Sequence, residues 1–476
     1  MKKTSENSHA ARFLRGEIPS HLKRPVLKIQ PILAREGNPS VNLGKLVEMI
    51  AGYAELKELV CVKSAEHWRE TIEAIGSDVD AILPLSNPCY PSEIWNSCPE
   101  PLAKRGLPVI FWPLIEFNEP DFWKWSARDM LRTLGVEVHL VKSCEQGQWL
   151  LKALAMRRFF KGSRLLVFGE QNFPWNAYAV GMKMKESLGT EIVVKPLSAI
   201  RARYERFDDA AVNKLWTERK ERFDAGTVKP EELTHAIRSY LAIKSILEDE
   251  KAIGFGVNCF GDLLVNGGRD VPCLAQCLAR EDGYIASCDG DFCAMMNMAL
   301  MSFFLDAPCM MSNMYPLSYS GAIKEHFGNP LAAPAKFSAC QGRLARLAHC
   351  GFTGVVSPEM TPRGVCRLSD WGGTYEMKRD GRGCGIDGDL IPGAEFTGSE
   401  LKFDGKTLII AKGKVLEATR HKGMPHCEAT ALLELNGLDG FINNISREHM
   451  VLIYGNRIEE LKILCDTLGL NALVCE

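Results

Sequence analysis

From residue 25 to residue 160, short runs rich in β-branched and apolar side chains alternate with longer stretches of helical period. The alternation resumes at 161 and fades only after about residue 340. No other feature restricts the fold as much. A strand followed by a helix and another strand returns parallel in one sheet, and such crossovers are right-handed. The first round predicts strands at 26–33, 59–62, 81–85, 108–112 and 136–141, and helices at 43–53, 68–75, 122–134 and 146–160. The second predicts strands at 164–168, 191–194, 252–257 and 284–287, and helices at 177–188 and 294–305. The charged stretch 200–250 reads as solvated helices. Beyond 340, short alternating runs are broken by Asp387-Gly388, Asp404-Gly405 and Lys412-Gly413, which is the pattern of an antiparallel β domain, a barrel or a sandwich.

The expected fold class is therefore α/β. An arm at 1–24 precedes two doubly wound parallel-sheet domains (Rossmann/flavodoxin-like) at 25–160 and 161–340, followed by a C-terminal antiparallel β-barrel-like domain at 341–476. A chain of 476 residues is long enough for that many buried cores. Its net charge of −2 offers no basic surface for nucleic acid, and no run of 18 apolar residues predicts a membrane span. The N-terminus has basic residues with no apolar stretch behind them, so a cytoplasmic protein is expected. Seventeen cysteines, an odd number with several inside apolar runs, fit buried thiols better than a disulfide framework. A zinc site from Cys273, Cys277, Cys288 and Cys293 lacks the paired Cys-x-x-Cys spacing and is set aside. Gly254-Phe255-Gly256 lacks the third glycine of a dinucleotide fingerprint.

The stretch 284–315 carries the chemistry. It reads as a strand, an Asp289-Gly290-Asp291 turn, a helix apolar almost all round, and a second strand from 309 with Asn313 near its end. If both strands lie parallel in one sheet, their carboxyl ends open on the same edge, so Asp289 and Asn313 are predicted to face one crevice. Asn258 and Asp262, after the strand at 252–257, should lie on that edge too. Asp291 either lends a second carboxylate or caps the helix. His349 beside Cys350 is a poor nucleophilic pair, because adjacent side chains point apart. His421 and His426 sit on a Gly/Pro turn, as surface residues or a pocket rim.

Three runs, taken with this layout, resemble the L-fucose isomerase and L-arabinose isomerase superfamily. They are Ala286-Ser287-Cys288-Asp289-Gly290-Asp291 with its Met-rich helix, Leu347-Ala348-His349-Cys350-Gly351, and Arg447-Glu448-His449-Met450-Val451-Leu452-Ile453-Tyr454-Gly455-Asn456 with the helix behind it. The resemblance implies a metal-dependent aldose–ketose isomerase acting on an open-chain sugar through a cis-enediol. It implies a divalent cation, Mn²⁺ or in its place Mg²⁺, held by a Glu, an Asp and a His. Those positions fall here on Asp289, Asn313 and His449, so one carboxylate is shortened and the other becomes an amide. Asp289 would be ligand and base; Asn313 could offer an oxygen but exchanges no proton. From their place on the sheet edge, Asn258 and Asp262 bind sugar hydroxyls or simply form a turn; the resemblance implies that Arg35 would reach a neighbouring subunit's pocket in a homo-oligomer, a trimer or hexamer. The altered pair leaves two other outcomes open: a different reaction on a related sugar, such as epimerisation or carbon–carbon cleavage, or a sugar-binding protein without turnover.

Overall fold

A computed structural model describes residues 14, 18–34, 43–85, 99–112, 124–226, 228–259, 261, 268–319, 321, 324, 333–349, 361, 364–370, 380–418 and 428–476. The chain divides into two compact units, 24–159 and 160–476, the second also taking the residues before Arg24.

In the 24–159 unit, β1 (Leu27–Ala34), β2 (Ala54–Leu56), β3 (Val60–Val62), β4 (Ala81–Pro84), β5 (Val109–Phe111) and β6 (Val138–Leu140) form one parallel sheet. Its order is β2-β1-β4-β5-β6, with β3 also paired to β1, beyond β2. Ile32, Ile82, Val109, Phe111 and Val138 from the strands meet Trp68, Ile72 and Leu131 from the helices in one buried core. The helix expected over 43–53 ends at Ile50, and the strand β2 follows. Gly52, at φ +85°, turns the chain in a region that favours glycine.

In the 160–476 unit, β7 (Arg164–Phe168), β8 (Glu191–Lys195), β10 (Gly254–Val257) and β11 (Ile285–Ser287) form a parallel sheet of order β11-β10-β7-β8. A small sheet joins β9 (Phe223–Asp224), β14 (Cys366–Asp370) and β15 (Cys384–Asp387). The remaining strands are β12 (Cys309–Pro316), β13 (Leu344–His349), β16 (Glu395–Leu401), β17 (Thr407–Glu417), β18 (Glu428–Leu435), β19 (His449–Tyr454) and β20 (Asn471–Cys475). Six of them close a barrel in the order β16-β19-β12-β13-β18-β17 and back to β16, every pairing antiparallel. Closure leaves no free edge along the ring. β20 adds in parallel to residues 407–411 of β17. The protein is thus a mixed α/β structure with parallel sheets and a closed antiparallel barrel. Among the described residues no helix is long and apolar enough to cross a membrane.

Two expectations are corrected. The strands flanking the helix Phe292–Leu305 do not share a sheet: β11 lies at the edge of the parallel sheet, whereas β12 is antiparallel between β13 and β19 in the barrel. The reason is visible in the helix. All its residues except Ser302 and Phe303 are buried, and it packs against β10 and β11 as well as β16 and β19. A helix covering one sheet needs one apolar face; one wedged between a sheet and a barrel needs two. The barrel accordingly takes its first strand from 309–316, upstream of the change in composition near 340.

Lys412-Gly413, expected to break two strands, lies inside β17. Gly413 pairs with Phe396 of β16, and a Cβ placed on it would stand 2.4 Å from Phe396 Cζ and 2.6 Å from the Glu434 carbonyl oxygen. The glycine makes room for the ring. Gly413→Ala should destabilise the barrel by about 1–3 kcal/mol through overpacking. Urea unfolding would read this as a lower midpoint with the slope unchanged; an unaltered midpoint would mean that the ring moves aside at no cost.

Candidate functional site

The site forms where the carboxyl end of β11 meets the start of β19. Asp289 and Gly290 leave β11 at φ +56° and +59°. The left-handed region is uncommon for a side-chain-bearing residue, though Asp tolerates it better than most, and such residues cluster at functional sites. The turn is clamped. The Trp175 indole N–H donates to the Asp289 carbonyl at 2.9 Å. Gly290 lies against β7 and β10 so closely that a Cβ would stand 3.2 Å from Val167 Cγ1 and 3.3 Å from Asn258 Cβ.

The Asp289 carboxylate, 7 % exposed, has two chemically different sides. Oδ1 accepts from the Cys259 thiol at 3.3 Å, and Cys259 Sγ lies 3.2 Å from Cys288 Sγ. Oδ2 is 3.3 Å from His449 Nε2 and 3.7 Å from His349 Nε2. Burial pushes the Asp289 carboxyl up, but the two imidazoles outweigh it and hold the group far below the usual carboxylate range.

His449 opens β19, and the barrel register sets Asn313 of β12 directly opposite it. On its other side Asn313 pairs with Ala348, the neighbour of His349. Three strand positions thus bring Asn313, His349 and His449 to adjacent strands at one end of the barrel. The Asn313 amide N–H donates to the Tyr315 hydroxyl at 3.2 Å.

Asp291 fixes the imidazole from behind. Its Oδ1 accepts from the Ala294 N–H at 2.7 Å and caps the helix Phe292–Leu305. Its Oδ2 binds His449 Nδ1 at 2.6 Å and the Arg447 Nε–H. Both oxygens are engaged, so Asp291 is a cap and an orienting group together. With Nδ1 held, Nε2 is the nitrogen turned to Asp289. Desolvation lowers His449, but the two carboxylates raise it to about 9. Arg447 also binds Glu400, whose Oε1 is 3.1 Å from Nη1 and accepts the Ser446 N–H at 2.6 Å.

The expected residues fare unequally. Asp289 and His449 are in contact, and Asn313 is across the ladder from His449. Asn258 is fully buried at the carboxyl end of β10; its amide donates to the Glu170 carbonyl at 2.6 Å and Asn172 Oδ1 at 2.8 Å, and accepts from the Gly261 N–H at 3.2 Å. It braces the loop after β7 against β10. Arg35 and Asp262 lie outside the described residues, as do Cys350, His421 and His426. Among the described residues the group suited to a metal by mutual distance is Cys259, Cys288 and Asp289; Cys273, Cys277 and Cys293 do not join it.

Sequence reading missed Trp175, whose ring meets the His449 ring edge-on at 5.6 Å and stacks on Phe173 at 4.5 Å. It sits in the turn after β7, on the sheet edge already singled out, which was the available signal. Cys259, beside Asn258, carried the same signal. Arg447 stands two residues before His449, in the bend that leads into β19. A cavity of about 490 Å³ adjoins the site, with Cys259 in its wall beside Arg201, Tyr204, His235, Asp270 and Arg382.

No protein-family model matches the chain, and no curated protein matches it at a significant level.

Burial raises Glu400 from 4.5 to about 7 against the pull of Arg447. The folded state therefore holds this proton more tightly than the unfolded one. The associated stability is complete below about 4.5 and is lost as pH rises through about 7. Glu400→Gln should flatten the fall in stability across that window, measured by urea unfolding on either side of it. An identical pH slope in wild type and variant would assign the fall to other groups.

Proposed function

We propose that the chain is a metal-dependent aldose–ketose isomerase-like enzyme acting on an open-chain sugar or sugar derivative through a cis-enediol. Asp289, Asn313 and His449 are its cation ligands, with Mn²⁺ the preferred ion and Mg²⁺ the second. What carries this reading is the approach of Asp289 Oδ2 and His449 Nε2 to 3.3 Å, from elements far apart in the chain. Two ligand atoms of one ion, each about 2.1 Å from it and at right angles, stand about 3 Å apart. The carboxylate behind Nδ1 is the partner that metal-binding histidines ordinarily have. The Asp289–His449 pair therefore suits a cation of this kind.

Such an ion, when bound, polarises the carbonyl and hydroxyl oxygens of the sugar. The chain's own groups do the rest. Asp289 takes the proton from the carbon beside the carbonyl, and returning it to the adjacent carbon completes the isomerisation. Asn313 offers an amide oxygen and no proton. His349, 3.7 Å from the same Asp289 oxygen, is a second group able to carry a proton between sugar oxygens. The Trp175 ring beside His449 supplies an apolar wall. Asn258 and Asp262 remain candidates for the sugar hydroxyls, and Arg35 for a neighbouring subunit's pocket in a homo-oligomer. We read the two parallel sheets as doubly wound, Rossmann- or flavodoxin-like domains preceding the barrel, in a cytoplasmic protein. Asn313 also favours a second reading, because it lacks the charge and the proton that a carboxylate has. In that reading the site runs a different reaction on a related sugar, an epimerisation or a cleavage, or binds the sugar without turnover.

Protein loaded with Mn²⁺ and given a panel of aldoses and ketoses should interconvert at least one pair. Asp289→Asn should lower that rate by about 10²-fold or more, the usual weight of a general base. Asn313→Asp should tighten Mn²⁺ binding and raise isomerase turnover. Protein that is isolated without a divalent ion and is indifferent to added Mn²⁺ would sink the isomerase and favour a binding protein. Carbon–carbon cleavage or epimerisation of a panel sugar would favour the other enzyme reading.

A further inference from the structure

The thiol side of Asp289 has no part in the chemistry above. Cys259, at the carboxyl end of β10, and Cys288, at the carboxyl end of β11, are both buried with their sulfurs 3.2 Å apart, and one thiol donates to Asp289 Oδ1. The three ligand atoms lie within 4.8 Å of one another. We propose that Cys259, Cys288 and Asp289 form a second cation site, for a thiophilic divalent ion of the zinc class, sharing the Asp289 carboxylate with the imidazole side.

The donor types set the ion. Thiolate sulfur favours zinc-like cations, whereas oxygen and imidazole suit manganese and magnesium. The distances set the geometry. Tetrahedral bonds of about 2.3 Å to sulfur and about 2.0 Å to oxygen separate two sulfurs by about 3.8 Å and a sulfur from an oxygen by about 3.5 Å. The corresponding separations here are 3.2 and 3.3 Å, so modest side-chain rotation opens the group to the ion. The fourth position has a source of water, because Cys259 lines the wall of the 490 Å³ cavity. Three protein ligands and an open position distinguish reactive zinc sites from closed structural ones.

As the ion enters, each thiol gives its proton to water and its sulfur lone pair to the metal; nothing is oxidised or reduced. The proposal is independent of the isomerase reading, because it concerns the Oδ1 side and is read without turnover.

The test titrates the reduced, metal-free full chain with Cd²⁺, whose bonds to thiolate absorb in the ultraviolet. The expected result is a saturable thiolate–cadmium absorption that Zn²⁺ displaces and Mn²⁺ does not. Cys288→Ser should abolish that saturable component, and His449→Gln, which removes one imidazole from the opposite side of Asp289, should retain it. If Cys288→Ser does not fold, as judged by circular dichroism, Cys259→Ser carries the same prediction. Absence of the absorption in wild type, or its persistence at full size in a folded serine variant, overturns the proposal.

Discussion

Asp291 joins the two halves of the larger unit. One oxygen caps the helix that leaves the parallel sheet, and the other meets His449 and Arg447 at the mouth of the barrel. Around it, Asp289 and Glu400 add two more carboxylates to the two cationic side chains, all buried. Such a cluster contributes little net stability against an apolar substitute. Removing a single member, however, strands a buried charge at a cost of about 3–5 kcal/mol. Its value is positional: it fixes which nitrogen of His449 faces Asp289 and how the barrel sits on the helix.

The supports of the site differ in stiffness. Asn313 and His449 belong to the hydrogen-bonded ladder of a closed barrel, where register fixes each residue against its neighbours. Asp289 stands instead on a left-handed turn, held by the Trp175 N–H and by the close approach of Gly290 to β10. From that turn one oxygen of its carboxylate meets the thiols and the other the imidazoles.

Much of this was legible in the sequence. Parallel strands and helices follow from the alternation, and antiparallel strands, in a barrel or a sandwich, from the Gly- and Thr-rich end; the turn after a strand marks Asp289, while the resemblance marks Asn313 and His449 as ligands. The sheet to which β12 belongs was not. A rule for strand–helix–strand units assumes a return to the same sheet, and only the lack of a polar face on the helix Phe292–Leu305 signals a second surface above it. Nor could local pattern pair Cys259 with Cys288, or bring Trp175 to His449, since those contacts arise from strand order. Gly413 misled because a glycine that admits a neighbouring ring and one that turns the chain are the same letter.

The two apolar sides of that helix also bear on how the protein is made. Synthesis runs from the N-terminus, so β10 and β11 are complete long before β16 and β19 leave the ribosome. For that interval the barrel-facing side of a Met- and Phe-rich helix stays wet, together with Asp291 before its arginine arrives. Pairings between segments so distant along the chain form slowly. The nascent protein therefore passes through a sticky stage that lasts until β19 is made, since His449 and the strand it opens are what the ring waits for.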